Sequence, residues 1–274
     1  MNIRFFCPRW GSEALPYELF FEKVNAAGYD GVEMSLPPDE KEREKITELL
    51  RQYELPLIGQ QWETTLSGSD TYEADYEKYL RNLAAASPLF INSQSGKDYF
   101  SIERNEAVLR LSADIAEDTG VKIVHETHRG KFSYSAAVML PYLQRLPGIR
   151  LCADFSHWCV VSESLLEAPE QELILQEVIP HVDHIHARVG WQQAAQVAEP
   201  RAPEFEQALQ RHLLWWDSIV EQQSMRGSEY LSITPEFGPA PYMPQLPYVQ
   251  QPLTNQWEAN VYMMQLLRER YKRD

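Results

Sequence analysis

Two kinds of segment alternate along the whole chain. Short apolar runs rich in β-branched residues cover 3–7, 31–35, 55–60, 89–93, 121–125, 149–153, 182–187 and 230–234. Each is five or six residues long and flanked by Gly, Pro or Asp, which suits strands buried on both faces of a parallel sheet. Between them apolar residues recur every three or four positions, as on a helix with one buried face. These stretches predict helices over 17–27, 39–53, 72–85, 104–119, 133–144, 162–178, 204–223 and 255–271. In the last, Val261, Met264, Leu267 and Tyr271 share one face. Gly28 and Gly120 stand where left-handed caps would end the first and fourth helices.

Strands alternating with helices imply parallel pairing through right-handed crossovers, which an open doubly wound sheet or a closed (β/α)8 barrel satisfies. The count of eight favours the barrel. No Gly-x-Gly-x-x-Gly follows any strand, so a dinucleotide-binding open sheet loses support. At 274 residues the chain predicts a single (β/α)8 TIM barrel domain over 1–274. One proline-rich stretch, with six prolines from Pro235 to Pro252, reads as a stiff loop over the barrel mouth.

Composition adds exclusions more than assignments. With 44% hydrophobic and 24% charged residues the chain can bury a full core. A net charge of -15 lacks the basic footprint of a nucleic-acid binder and repels anionic membrane surfaces. No apolar run reaches the ~18 residues of a membrane span, and the first residues carry no secretory pattern. Cys7, Cys152 and Cys159 are an odd number placed in or beside apolar runs, which predicts reduced core thiols and a cytoplasmic protein.

Barrel enzymes carry their chemistry at the C-terminal ends of the strands. Here four consecutive strand ends bear ionisable groups: Glu126 with His128 and Arg129, Asp154 with His157, His184 with His186 and Arg188, and Glu236. Each has a plainer reading by itself; Asp154, for example, could cap the next helix. His184 and His186 alternate along one strand and face the same side, and His186 lies nearer the end. Carboxylates gathered so closely repel one another unless a cation lies between them. Three carboxylates and one imidazole suit Mn²⁺, Mg²⁺, Co²⁺ or Zn²⁺.

With these residues the chain resembles the xylose isomerase-like TIM-barrel superfamily of sugar (phosphate) isomerases and epimerases. The likeness runs from Gly31-Val32-Glu33 to Pro235-Glu236-Phe237-Gly238-Pro239. It implies that Glu126, Asp154, His186 and Glu236 hold one divalent ion, with Glu126 and Glu236 also carrying protons. It implies substrate contacts at His157 and at Arg188, although Arg188 follows the strand-seven His more closely than the family's arginine does. The family's Glu-x-x-Asn-Arg segment has His128 in place of Asn. Trp10, Trp62, Trp158 and Trp191 form a possible aromatic rim, and Glu33 and Lys97 are further polar candidates for substrate binding. The apurinic endonucleases of the same superfamily use three metals and need extra histidines. Those are missing at Gln60-Gln61-Trp62 and at 92–96, and no Asp-x-His follows His186.

The expected activity is metal-assisted proton transfer next to the carbonyl of a small carbohydrate, through an enediolate, as in a sugar isomerase or epimerase. An alternative is a metal-dependent lyase or dehydratase of inosose or 3-keto-sugar type, which begins with the same proton abstraction. A third is a non-catalytic sugar-binding barrel. No phosphate-binding nest is evident, which favours an unphosphorylated substrate. Nucleic acid and membrane are not expected partners, and no oligomeric state follows from the sequence.

Overall fold

All eight expected strands form: β1 (Asn2–Pro8), β2 (Gly31–Met34), β3 (Leu57–Gln61), β4 (Ile91–Ser93), β5 (Ile123–Glu126), β6 (Leu151–Ala153), β7 (Val182–His186) and β8 (Tyr230–Thr234). The computed structural model describes residues 1–272, so the last two positions of the expected domain lie outside the described residues. The strands close in sequence order into a parallel barrel, with β8 pairing back onto β1 through Asn2↔Tyr230 and Phe5↔Ile233. Helices separate them: α1 (Tyr17–Ala27), α2 (Glu40–Gln52), α3 (Tyr72–Ala84), α4 (Ile102–Thr119), α5 (Ala136–Arg145), α6 (Ser156–Ser162), α7 (Pro169–Val178), α8 (Glu206–Met225) and α9 (Gln256–Arg270). Among the described residues no helix is long and apolar enough to cross a membrane.

The period of two along each strand sorts the side chains into two cores. Val32, Leu57, Ile91, Ile123, Leu151, Ile185 and Ile233 pack outward with the helices. Phe6, Ile58, Phe90, Val124 and Cys152 form a separate small cluster, which strand alternation assigns to the barrel interior. The same inward parity carries Glu33, Asn92, Glu126, His184, His186 and Thr234, all buried. Outside, side-chain oxygens of Asp39, Ser101 and Asn255 cap α2, α4 and α9. Gly28 and Gly120 end α1 and α4 in the left-handed region, at φ 83° and 68°. All three cysteines are buried with free thiols.

Two expectations need correction. Strands β3 to β6 each begin two residues later than the apolar runs do, because the first apolar residues, such as Leu55 and Ile149, are buried in the approach loops. The helix expected over 162–178 begins only at Pro169, as α7, and a separate unexpected helix, α6, precedes it over Ser156–Ser162. Pro169 occupies the first turn of α7, where its missing N–H costs nothing, but it cannot continue a helix from upstream. Leu165 and Leu166, which carry the apolar period across the break, are buried in the link.

Candidate metal centre

β5, β6, β7 and β8 deliver Glu126, Asp154, His186 and Glu236 to one point. One ligand atom from each lies within 4.8 Å of the other three. Glu126, Glu236 and His186 are each held by one polar atom and turn the other toward the centre. Glu126 Oε2 accepts from Gln94 Nε2 (3.1 Å) and Glu236 Oε1 from Gln60 Nε2 (2.9 Å). Asp154 Oδ1 accepts from the backbone N–H of Ser156 (3.2 Å) and from its hydroxyl, so Asp154 also secures the start of α6. His186 Nε2 lies 2.9 Å from Glu33 Oε1. The remaining atoms Glu126 Oε1, Glu236 Oε2 and His186 Nδ1 are buried without a hydrogen-bond partner. His186 Nδ1 approaches Glu236 Oε2 to 2.8 Å, yet the pair is not aligned as a hydrogen bond. Buried polar atoms are rarely left unpaired, and three converging at one point fit a cation. The fourth, Asp154 Oδ2, is held by Arg188 Nη2, which also stands 3.5 Å from Glu236 Oε2.

Burial and crowding set the protonation here. Burial lifts the Asp154 carboxyl, Arg188 pulls it down, and Glu236 and Glu126 lift it again, to about 6. Burial alone would strip the proton from His186. The surrounding Cys152, Glu236, Glu33 and Glu126 outweigh it and hold that proton well above the ordinary histidine range. Burial likewise raises Glu236, but His186 and Arg188 outweigh it and keep the carboxylate ionised.

Above the centre opens a cavity of about 580 Å³, lined by Glu126, Glu236, Arg188, Trp10, Trp62 and Lys97 among others. Tyr242, from the proline-rich loop after β8, closes one side, with Trp10 edge-on at 5.0 Å and the Arg188 guanidinium 4.7 Å from its ring centre. The part of the proline-rich stretch that reaches the cavity is thus Glu236 and Tyr242.

Several expected substrate contacts sit elsewhere. Glu33 is fully buried beneath the centre, its carboxylate committed to His184 (3.0 Å), His186, Asn92 (2.9 Å) and Thr234. It lies deeper along the barrel axis than its inward parity alone discloses. His157 is fully buried behind Arg188, 2.8 Å from Nη2, and its ring packs 3.8 Å from that of His128. Trp158 points away from the cavity, donating to Ser133 O at 2.7 Å, and Trp191 packs on Phe205. The cavity aromatics are therefore Trp10, Trp62, Tyr17 and Tyr242. Gln60, Gln94, His128, Lys131 and Tyr242 went unassigned in the sequence. Gln60 lies on β3 with inward parity and Gln94 just past β4, a signal that could have marked both.

A family model described as xylose isomerase-like TIM barrel matches residues 21–194. No curated protein sequence matches the chain. Three solved structures share its fold at 13% identity each. The 3-keto-D-glucoside 4-epimerase YcjR from E. coli aligns with TM-score 0.62 over 98% of this chain and 100% of its own. The probable 3-DHS dehydratase AsbF from Bacillus anthracis aligns with TM-score 0.61 over 97% and 98%. Endonuclease IV from Thermus thermophilus aligns with TM-score 0.58, also over 97% and 98%. At this identity the likeness is one of fold, and the three carry the names of different reactions.

Proposed function

The chain belongs to the xylose isomerase-like TIM barrel family, and from that premise we propose that it is a divalent-metal-dependent sugar isomerase or epimerase. The observation that carries this reading is the convergence of buried, unpaired Glu126 Oε1, Glu236 Oε2 and His186 Nδ1 beside Asp154. Those four side chains would hold the ion, here Mn²⁺, Mg²⁺, Co²⁺ or Zn²⁺. When bound, it supplies a Lewis acid that polarises the oxygens of a sugar carbonyl and its neighbouring hydroxyl.

The chain's own residues supply the proton traffic. Glu126 and Glu236 both line the cavity, each with one oxygen anchored by an amide and the other without a hydrogen-bond partner. One removes the proton from the carbon next to the carbonyl and the other returns it, to the other face for epimerisation or to the adjacent carbon for isomerisation. Arg188, on the cavity wall, steadies negative charge that develops on the substrate oxygens. Trp10 and Trp62 offer apolar faces to the sugar ring. A cavity of about 580 Å³ suits a small carbohydrate.

The test strips the protein with EDTA, reloads it with Mn²⁺, and follows solvent deuterium incorporation into ketoses, inososes and 3-keto sugars. Metal-dependent exchange at the carbon beside the carbonyl is expected, reduced about 10²-fold or more in Glu236→Gln. Exchange with loss of water rather than a new epimer would move the assignment to a lyase. Absence of stoichiometric metal, with every activity untouched in Glu126→Gln and Glu236→Gln, would remove the enzyme reading altogether.

A further inference from the structure

The cavity inverts the charge of the molecule around it. A chain of net charge -15 lines this one space with Arg9, Lys97, Arg129, Lys131 and Arg188 against Glu13, Glu126 and Glu236. The three arginines already have company. Arg188 is paired with Asp154, Arg9 lies 4.0 Å from the Tyr17 ring centre, and Arg129 lies 5.1 Å from that of Tyr242. Lys97 also lies 5.5 Å from the Tyr72 ring centre, but neither it nor Lys131 has a carboxylate partner such as Asp154 gives Arg188. Both are buried, at 7% and 2% exposure, and neither forms an ion pair among the described residues.

The two ammonium groups meet at one short turn after β3. Lys97, from the loop after β4, donates to the carbonyls of Thr64 (2.9 Å) and Thr65 (3.1 Å). Lys131, from the loop after β5, donates to the Thr65 hydroxyl (2.5 Å). Glu63 of the same turn pairs with neither lysine; its carboxylate turns to the amide of Trp62 (2.9 Å). An ammonium has three donors, so one remains on Lys97 and two on Lys131. Two buried like charges held at one turn are costly, and a neutral sugar hydroxyl compensates them poorly. A carboxylate or phosphate accepts several charge-assisted hydrogen bonds and cancels the repulsion.

We propose that Lys97 and Lys131, converging on Thr65, bind an anionic group of the substrate, either a carboxylate or a phosphate ester. This rests on the carbohydrate reading above and narrows it to acidic sugars. It also widens the sequence expectation of an unphosphorylated substrate, since two lysine side chains can do what no backbone nest does here. The anion lies on the β3–β5 side of the cavity, while Glu236 stands on the β8 side. One end of the molecule is anchored as the other is presented to the carboxylates. Burial and the neighbouring Lys97 lower the Lys131 ammonium to about 8, against the weaker opposite pull of Glu126 and Asp98.

Trp10 and Trp62 in the cavity wall give a binding signal independent of turnover. Fluorescence titrations of the metal-free protein compare D-fructose, D-fructose 6-phosphate and D-glucuronate. At least one acidic probe binds 10-fold or more tightly than fructose, and whichever does so identifies phosphate or carboxylate as the source. Lys131→Met and Lys97→Met each abolish that preference, whereas Lys131→Arg keeps most of it, with circular dichroism certifying the fold. Equal binding of all three probes would overturn the proposal, as would a preference that survives in folded Lys97→Met and Lys131→Met. Because metal is absent throughout, failure of the metal-centre reading leaves this result intact and the reverse also holds.

Discussion

His186 has two ring nitrogens with opposite duties. Nδ1 faces Glu126 and Glu236, and Nε2 lies 2.9 Å from Glu33 Oε1. Burial raises Glu33, but His186 and His184 outweigh it and hold the carboxylate well below its ordinary range, so it stays charged. Once an ion displaces the extra proton of His186, a charged Glu33 would keep the remaining one on Nε2 and leave the Nδ1 lone pair for the cation. Glu33→Gln preserves size but offers only one acceptor to two histidines. Metal affinity is expected to fall about 10–100-fold, measured by calorimetry with Mn²⁺ on protein whose fold is verified by circular dichroism. Unchanged affinity would show that the ring is oriented by Asn92 and packing instead. The four converging residues were legible in sequence because an ionisable type coincides with inward parity at a strand's C-terminal end. Depth was not legible. Glu33 shares that parity but sits one level down, and the stagger between strands that sets its level is a property of the closed barrel. Lys131 was missed because a loop lysine carries no signal until folding brings it to Thr65 and Lys97.

At the scale of elements, the site depends on how closely the segment after β7 approaches the first turn of α6. A Cβ on Gly190 would meet Ser156 Cβ and the Ser156 carbonyl oxygen, each at 2.7 Å. Ser156 in turn holds Asp154 Oδ1 and accepts from Arg188 Nε at 3.3 Å. Gly190→Ala is therefore expected to drive the two segments apart at a cost of about 1–3 kcal/mol, and to weaken Mn²⁺ binding through the displaced Asp154. Gly148, with no atom within 4 Å of an added Cβ, supplies the control. Urea denaturation should find Gly148→Ala close to wild type and Gly190→Ala clearly less stable; equal midpoints would mean that α6 yields freely. The strands were legible because β-branched runs of strand length repeat eight times. Helix α6 was not, for two reasons. It is only seven residues long and its first four, Ser156 to Cys159, are all buried, so no amphipathic period develops. The apolar period instead runs on through Leu165 and Leu166 and hides the break at Pro169.

For the molecule as a whole, burying imidazoles ties stability to pH. His125 lies between β5 and α4, 2.7 Å from Ser95 Oγ, and burial lowers it to about 3. His212 on α8 donates from Nδ1 to Ala208 O (2.9 Å) and accepts from the Gly190 N–H at Nε2 (3.3 Å). That neutral arrangement suits its lowering to about 4, mainly through burial. In the unfolded chain such groups titrate near ~6.5. Between that value and about 4 the unfolded state binds protons that the folded state refuses, so stability falls as pH falls through the window. His186 and Asp154, both raised in the folded protein, act in the opposite sense when no metal is bound, and their contribution would mask a raw pH profile. A difference measurement cancels them. The stability of wild type relative to His212→Gln, taken from urea curves at pH 7 and pH 5 in EDTA, removes every group the two proteins share. Wild type should lose about 2 kcal/mol more than the variant over that interval, the worth of one histidine held neutral 1.5 pH units below its free value. A difference independent of pH would mean that His212 takes up its proton in the folded barrel, against the donor that Gly190 presents to it.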